Sequence, residues 1–133
     1  MLQVVFASRP LNYSVPAMLN ILLKARQYNT LHDLTGALIY RDDLFLQLLE
    51  GTSHTVRTVI KRIMADPRHT DIAVLYERSI PSRTFSRWNM YENTLDDPRW
   101  GRLAVREGEH LTLPQNEVLA FFTRMSDKPL KAV

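Results

Sequence analysis

The chain has 133 residues, of which 45% are hydrophobic and 23% are charged, and its formal net charge is +3. This balance predicts one globular domain, and the absence of cysteine excludes disulfides and thiolate chemistry. The sequence has no apolar run of the roughly 18 residues that a transmembrane helix needs, and its N-terminus lacks the basic and apolar regions of a signal peptide. We therefore expect a cytoplasmic protein with no membrane partner.

The periodicity of the apolar residues predicts seven elements in the order β-α-β-β-α-β-β. The predicted strands cover residues 2–8, 34–40, 44–50, 71–79 and 87–92, and the predicted helices cover about 15–28 and 53–65. Ser14 is the expected N-cap of the first helix, with Pro16 in its first turn, and Ser53 is the expected cap of the second. Asp66-Pro67 ends the second helix, because proline disfavours helix in the residue before it.

The first six elements form the split βαβ pattern, so we predict an α+β protein of the ferredoxin-like class. Right-handed crossovers place both helices on one face of the βαββαββ sheet. Two more helical stretches, about 97–106 and 114–126, form a C-terminal helical appendage that can cover the other face. We therefore divide the chain into a domain at 1–93 and a helical extension at 94–133.

The strand at 44–50 carries a polar residue in an apolar setting. Phe45, Gln47 and Leu49 share one face of this strand, since side chains alternate along a strand. A glutamine among leucine and phenylalanine is expected to be buried, and a buried amide needs hydrogen-bond partners. Two interpretations remain open for Gln47: a structural residue bonded to backbone, or a polar group in a site.

Two further segments are open to a structural and a functional interpretation. The segment DPRH (66–69) follows the second helix and is either a solvated turn or a fork donor for a carbonyl or phosphate. Trp88 and Met90 are two residues apart, so they share a face of the last strand and belong either to the core or to a site.

The sequence carries no familiar catalytic or metal-binding pattern. It contains no G-x-G-x-x-G, Walker or H-E-x-x-H motif, its four histidines are not spaced as metal ligands, and no serine lies in a Ser-His-acid pattern. We therefore expect neither an enzyme nor a metal site.

An RNA-recognition fold has the same βαββαβ order, with aromatic residues on its inner strands, where Phe6 and Phe45 would lie. However, LFLQLLEG lacks the Lys/Arg-Gly start and the spaced aromatic residues of that motif. The basic residues are also scattered along the chain. We therefore do not expect a nucleic-acid partner.

Four segments, LTGALIY, FLQLLEG, DPRH and FSRWNM, closely resemble in order and spacing the motifs of the BLUF family, whose members sense blue light with a flavin. The resemblance covers about residues 2–92. It implies a non-covalent FAD whose isoalloxazine ring lies between the two helices, edge-on to the sheet. It also implies a photoreceptor that signals by rearranging hydrogen bonds around the flavin.

By motif position, the resemblance assigns polar contacts to five residues. Asn29 would hold the N3/O4 edge of the flavin, and Gln47 would be the switching amide beside N5 and O4. Arg68 would reach the O2 side, while Asp66 and His69 would lie near the ribityl and phosphate end. An amide suits a switch because rotating or tautomerising it changes which flavin atom receives a hydrogen bond.

Five further positions receive roles from the same resemblance. Ile21 and Ile63 would pack on the two faces of the flavin ring. Trp88 and Met90 match the strand pair whose arrangement around the glutamine carries the signal onward. Tyr28 stands where many members have Asn or His, and it is expected to alter the hydrogen bonding on the O2 side.

Phe6 departs from the family pattern. Members carry a tyrosine at this strand position, and light moves an electron and a proton from that tyrosine to the flavin and back. Phenylalanine has no hydroxyl, so it has no proton to give and no hydrogen bond for Gln47. Tyr13 is not a substitute, because it falls in the loop before the first helix. We therefore predict that FAD binds and that Phe6, engineered or natural, blocks or impairs the photocycle.

No effector domain follows the predicted sensor, so we expect a downstream protein effector, and short family members commonly form homo-oligomers. The apolar stripe of the last helix either packs under the sheet or offers a surface to such a partner. The alternative to a photoreceptor is a chromophore-free ferredoxin-like module that binds nucleic acid or protein. Purified protein would then be colourless, whereas a flavin sensor is yellow.

Overall fold

The computed structural model describes residues 1–92 and 98–126. Its strands are β1 (Leu2–Pro10), β2 (Thr35–Arg41), β3 (Leu44–Gly51), β4 (His69–Ser79) and β5 (Trp88–Glu92). Its helices are α1 (Val15–Leu31), α2 (Ser53–Ala65), α3 (Arg102–Arg106) and α4 (Gln115–Ser126), with 3₁₀ turns at Pro98–Trp100 and Glu109–Thr112. The predicted element order and the helical appendage are confirmed.

The five strands form one sheet in the order β4-β1-β3-β2-β5. Neighbouring strands are antiparallel except β2 and β5, which run parallel. One row across the sheet aligns Phe6 of β1 with Gln47 of β3, Leu38 of β2 and Met90 of β5. Directly opposite residues of an antiparallel pair share a face. Phe6 and Gln47 are therefore neighbours on one surface of the sheet.

The N-termini of the two long helices are capped by hydroxyl groups. The hydroxyl of Ser14 accepts the N–H of Ala17 at 3.2 Å, as predicted for α1. The predicted cap at Ser53 is wrong, because Thr52 caps α2 and accepts the N–H of Thr55 at 3.4 Å. Thr52 has the extended backbone that a cap requires, and Ser53 is the first helical residue. Thr52 and Ser53 both carry a hydroxyl group, so the sequence alone does not distinguish which of them caps α2.

The end of α1 fixes the position of Asn29. The helix continues to Leu31, beyond the predicted end at 28. It stops at Asp33, whose φ of 56° is left-handed, and the N–H of Leu34 closes the turn by donating to the carbonyl oxygen of Asn29 at 2.8 Å. Asn29 therefore lies in the last turn of α1, above the sheet.

The sheet separates two apolar cores. The residues that α1 and α2 bury against the first face are Met18, Leu22, Val56 and Val59. The residues that the C-terminal helices bury against the second face are Trp100, Ala104, Val105, Val118, Phe121 and Phe122. All eight residues of β3, which lies at the centre of the sheet, are buried. The helices thus cover one face and the appendage covers the other, as predicted.

The apolar stripe of α4 packs under the sheet. Val118 and Phe122 are buried in the second core, and Leu119 packs against it. The side chain of Met125, which belongs to the same stripe, lies outside what the structure describes. The predicted boundary between residues 93 and 94 also falls outside the described residues, so it stays a prediction.

Gly36 allows β2 to lie against β3. Its φ is +143°, and a Cβ at this position would lie 1.9 Å from the carbonyl oxygen of Leu48. That contact is with backbone, so no rotamer change relieves it. The glycine of the segment LTGALIY is therefore required for the pairing that places Gln47 in the row with Leu38.

A buried carboxylate holds the loop that leads into β5. Glu50 is completely buried and accepts the side-chain N–H of Gln3 at 2.6 Å. It also accepts the backbone N–H groups of Thr84 at 2.9 Å and Phe85 at 2.8 Å. These charge-assisted bonds tie the loop to β1 and β3, and so fix the start of β5 at Trp88.

His110 is a buried imidazole between the C-terminal helices and the sheet. It is 3% exposed, its ring lies 5.9 Å from that of Trp100, and its Nδ1 has no hydrogen-bond partner among the described residues. Burial lowers the pKa of His110 below its ordinary value, and the nearby positive charge of Arg9 lowers this pKa further. The folded protein therefore favours the neutral ring.

His110 should make the stability of the protein depend on pH. Because its pKa is lower in the folded chain, the unfolded chain takes up the proton first, and stability is lost as pH falls below about 6.5. Each unit by which the pKa is lowered makes about 1.4 kcal/mol of the free energy of unfolding depend on pH. We expect His110→Phe to flatten the change in urea midpoint between about pH 7.5 and about pH 5.5.

The exposed His54 on α2 offers a matched control, because its ring is hydrated in both states. The variant His54→Gln should keep the pH dependence of the unmodified chain. Equal flattening by His54→Gln, or none by His110→Phe, would contradict the assignment of this dependence to His110.

Candidate functional site

A cleft opens between α1 and α2 above the first face of the sheet. It encloses about 850 Å³ of empty space, part of which is open to solvent. The residues that line it are Ser8, Ile21, Lys24, Ala25, Tyr28, Asn29, Leu38, Phe45, Gln47, Val59, Arg62, Ile63, Asp66, Arg68 and His69. Eight residues singled out in the sequence meet here: Ile21, Tyr28, Asn29, Gln47, Ile63, Asp66, Arg68 and His69.

Two buried amides face this cleft. Asn29 is 2% exposed and Gln47 is 8% exposed. Within residues 1–92 and 98–126, neither side-chain amide has a hydrogen-bond partner, so the alternative in which Gln47 bonds to backbone is not met there. The buried side-chain polar atoms without a partner in the described part of the chain belong to Tyr76, Trp88 and His110, so the amide atoms of Asn29 and Gln47 keep contact with the open space of the cleft. The two amides therefore suit a ligand that supplies matching donors and acceptors.

The walls beside the amides are apolar. Ile21 of α1 and Ile63 of α2 contribute one wall each, and Leu38 and Phe45 of the sheet form the floor. Two helices separated by such a gap leave a slot with flat apolar sides. This shape suits a planar heteroaromatic ring whose edge carries hydrogen-bonding groups.

Asp66 and Arg68 form an ion pair at the edge of the cleft. The Nε and Nη2 groups of Arg68 donate to the two carboxylate oxygens of Asp66 at 2.9 and 2.5 Å. This hydrogen bonding holds the pKa of Asp66 below its ordinary value and raises that of Arg68. The third guanidinium nitrogen, Nη1, reaches Asn20 at 3.5 Å. The Nε–Nη2 edge of the Arg68 guanidinium, which was predicted to bind a carbonyl or phosphate, is therefore bonded to Asp66.

His69 links the start of β4 to α2 and β1. Its Nε2 lies 2.5 Å from the carbonyl oxygen of Ile63, and its Nδ1 lies 2.8 Å from the hydroxyl oxygen of Ser8. A carbonyl oxygen only accepts, so Nε2 carries a proton, and in the neutral ring Nδ1 accepts from Ser8. Both ring nitrogens therefore make hydrogen bonds that connect β4 to β1 and α2 beside the cleft. The sequence did not indicate this role.

Tyr28 joins the two helices at the cleft. Its ring stacks on that of His32 with 4.0 Å between the centroids, and the guanidinium carbon of Arg62 lies 4.0 Å from the centroid of Tyr28. Two groups this close to one centroid must lie on opposite faces, so the Tyr28 ring is covered on both sides. The contact with Arg62 is a cation–π contact between α2 and α1.

Charge at the cleft is mainly positive. Lys24, Arg62 and Arg68 line it, with Asp66 as the one carboxylate among its described lining residues. The sequence analysis missed Lys24 and Arg62, although each lies within four residues of a predicted site residue, Tyr28 or Ile63. Apolar walls, unpartnered amides and surplus cations together fit a planar ligand with an anionic tail.

Two other predicted site residues, Phe6 and Trp88, lie beside the cleft and are not among its described lining residues, and Met90 is described only by its strand register. Phe6 is 2% exposed and lies next to Gln47 in its row. Trp88 is 7% exposed, packs into the first core, and pairs with Gly36 two rows away. Met90 occupies the row of Gln47 by strand register.

The described residues contain no group of three or more His, Asp or Glu side chains arranged to hold a metal ion. Among the helices in the described part of the chain, none is both long and apolar enough to cross a membrane.

The family model "BLUF: Sensors of blue-light using FAD" matches residues 1–91. The chain is 33% identical over 75 residues to the photoactivated adenylate cyclase subunit beta of Euglena gracilis, covering 56% of this chain and 9% of that protein. It is 36% identical over 66 residues to the blue light- and temperature-regulated antirepressor BluF of Escherichia coli (strain K12), covering 50% of this chain and 16% of that protein. The chain thus spans only a small part of these curated relatives.

The fold has a close match among solved structures. The photo-activated state of BlsA superposes with a TM-score of 0.80 and 26% sequence identity, and the match covers 99% of each chain. The similarity therefore includes the C-terminal region as well as the sheet and its first two helices.

Proposed function

Because the chain belongs to the BLUF family of sensors of blue light using FAD, it is a FAD-binding blue-light sensor, and we propose that its flavin binds in the cleft between α1 and α2. Bound FAD supplies the absorption of blue light and the capacity to accept an electron. The observation that carries the placement is the pair of amides of Asn29 and Gln47, which line the cleft and have no hydrogen-bond partner among the described residues.

The amides suit the polar edge of a flavin. That edge alternates carbonyl oxygens with a ring N–H, and an amide group offers both a donor and an acceptor. We assign Asn29, which lies in the last turn of α1, to the N3/O4 edge by its motif position. Gln47 takes the N5 and O4 side from the centre of β3.

The remaining contacts divide by chemistry. Ile21 and Ile63 pack on the two faces of the ring, where apolar surface is needed. Arg68 turns its guanidinium toward the O2 side, with Asp66 holding that guanidinium by two hydrogen bonds. His69 stands at the ribityl and phosphate end, and its bonds to Ile63 and Ser8 keep the wall in place.

Phe6 limits what the switch can do. It lies opposite Gln47, and its ring has no hydroxyl to donate to or accept from that amide. The flavin edge then takes over the hydrogen bonds that a tyrosine at this position would share with Gln47. We infer that this chain holds FAD but lacks the proton donor for the usual photocycle, and that Trp88 and Met90 relay any rearrangement of Gln47 from the neighbouring strand β5.

We propose that the light signal of this domain passes to another protein. The names of the relatives support an output outside the sensor domain, because one relative is a photoactivated cyclase and another is an antirepressor, and the match covers a small part of each. The chain matches 75 residues of that cyclase, about 9% of its length. We therefore assign no enzymatic activity to this domain, and we propose a cytoplasmic homo-oligomer that contacts a downstream effector.

Replacing Asn29 by alanine tests the placement of the flavin. Its amide makes no hydrogen bond to the described residues, so Asn29→Ala should fold normally and lose only contacts to the ligand. We expect FAD affinity, measured by fluorescence titration, to fall about tenfold, the usual worth of one buried hydrogen bond.

Asn116 on α4 is the matched control, because it is exposed and lies outside the cleft. The variant Asn116→Ala should bind FAD like the unmodified chain. If Asn29→Ala also binds FAD with unchanged affinity, the flavin edge does not lie at Asn29 and the proposed site is wrong.

A further inference from the structure

The side of α1 that does not line the cleft is apolar. Val15, Leu19 and Leu23 are 62%, 57% and 56% exposed, and none of them belongs to the cleft lining. They are spaced four residues apart, so they follow one another along one side of the helix. Arg26 comes three residues later on the same side. These four residues, Val15, Leu19, Leu23 and Arg26, form what we call the α1 outer stripe.

The outer stripe departs from the usual pattern of a surface helix. Such a helix buries one apolar side and presents polar residues to water, whereas a helix that is apolar on all sides is normally buried. Helix α1 already buries Met18 and Leu22 against the sheet. Among the described residues, eleven large apolar side chains are exposed, and six of them lie between residues 11 and 31. The α1 outer stripe therefore gains free energy when another surface covers it.

The two long helices carry only positive charge. Neither contains an aspartate or a glutamate, and their basic residues are Lys24, Arg26, Arg57, Lys61 and Arg62. The chain as a whole has 17 basic and 14 acidic residues, so the rest of the chain carries more acid than base. The layer formed by α1 and α2 therefore attracts an acidic surface.

Arg26 gives this attraction a position beside the apolar residues. Arg57 is paired with Glu77, and Arg62 lies over the ring of Tyr28. Arg26 is half-buried and, within the part of the chain that the structure describes, forms no ion pair or side-chain hydrogen bond. Its guanidinium is therefore available to a carboxylate from outside the chain.

We propose that the α1 outer stripe binds an acidic amphipathic helix of the downstream partner. The partner's apolar residues pack on the three aliphatic side chains of the stripe, and one of its carboxylates binds Arg26. The inference rests on the proposed transfer of the light signal to another protein. Helix α1 also supplies Asn29 to the cleft, so the partner binds the same helix that contributes to the flavin site.

A second copy of the chain fits the outer stripe less well. Two copies of α1 would bring cations together with no acid on either helix. A stable pair of copies also buries about 800 Å² on each partner. A helix of 17 residues is about 25 Å long and about 10 Å wide, which is too narrow for such an interface. A single partner helix matches this surface and gives the weak, reversible contact that suits a signal.

A synthetic amphipathic helix, with leucine on one face and glutamate on the other, tests the inference. It is added to the FAD-loaded chain, and binding is followed by the fluorescence anisotropy of a dye on the peptide. The double variant Leu19→Gln with Leu23→Gln should weaken binding at least tenfold, because two aliphatic contacts are lost. Arg26→Glu should weaken binding of this peptide and favour a version with lysine in place of glutamate.

Leu103 on α3 and Lys61 on α2 supply the matched controls. Leu103 is 61% exposed, Lys61 is also exposed, and both lie outside the outer stripe. Leu103→Gln and Lys61→Glu should leave binding of the acidic peptide nearly unchanged. Bound FAD, measured by absorption, shows that each variant is folded.

Three results would overturn the inference while bound FAD leaves the sensor assignment intact. The first is no binding of the acidic peptide to the unmodified chain, or equal loss in Leu103→Gln. The second is binding to vesicles of phosphatidylserine and phosphatidylcholine that the double variant abolishes, which would assign the stripe to a membrane. The third is a dimer in sedimentation that the double variant abolishes, which would assign the stripe to a second copy. A chain that binds no FAD would instead contradict the proposed function.

Discussion

Replacing Phe6 by tyrosine is expected to give the FAD-loaded protein a reversible red shift after blue light that the unmodified chain lacks or shows only weakly. Position 6 lies directly opposite Gln47 on the cleft face of the sheet, so the new hydroxyl would meet an amide that has no partner among the described residues. A buried hydroxyl costs free energy unless it is hydrogen-bonded, and Gln47 supplies that bond. Absorption spectra recorded in the dark and after illumination measure the effect.

The variant Phe45→Tyr is the matched control. Phe45 also lines the cleft, but its register partners are Ser8 and Tyr40, so the added oxygen lies in a different row from Gln47. It should not produce the red shift. A full, reversible shift in the unmodified chain, or equal shifts in both variants, would overturn the role given to position 6.

The second large effect concerns stability. Glu50→Ala should lower the free energy of unfolding by about 3 kcal/mol or more, because it leaves buried donors on Gln3, Thr84 and Phe85 without an acceptor. The cost also includes a cavity at the end of the central strand β3. Urea denaturation followed by circular dichroism measures the loss.

Glu77 is a matched glutamate at the surface. Its side chain is 39% exposed and pairs with Arg57, so Glu77→Ala should cost less than about 1 kcal/mol. Similar losses for Glu50→Ala and Glu77→Ala would contradict a structural role for the buried carboxylate.

Local periodicity was enough to predict the helices, the strands and their two faces. The alternation in LFLQLLE places Phe45, Gln47 and Leu49 on one side, and the structure has Phe45 and Leu49 in the first core. The choice between Ser53 and Thr52 as cap was not predictable, because it depends on backbone angles where β3 ends and α2 begins.

The sequence alone did not predict the contacts between segments that are far apart in the chain. Glu50 meets Gln3 across 47 positions of the chain and Phe85 across 35, and no local pattern signals either pairing. The sequence contains no local sign of a role for Arg62, because only the packing of α2 beside α1 brings it over Tyr28. His69 was similarly placed by its motif, but its bond to Ser8 depends on how β4 lies beside β1.

The motif resemblance located the cleft better than the physical chemistry of single residues did. Asn29, Gln47 and Arg68 lie far apart in sequence, yet all three line one space. Their roles toward the flavin atoms remain predictions until the variants are measured.

Burial of every residue in β3 has a consequence for how such a sensor changes during evolution. A strand with one wet face accepts neutral substitutions at every second position, whereas β3 has no such position. Substitutions in β3 are then tolerated only where neighbouring residues compensate for them. Helix α1, with exposed Val15, Leu19 and Leu23, should tolerate more substitutions. We therefore expect the central strand to vary least among relatives and the exposed periphery to vary most.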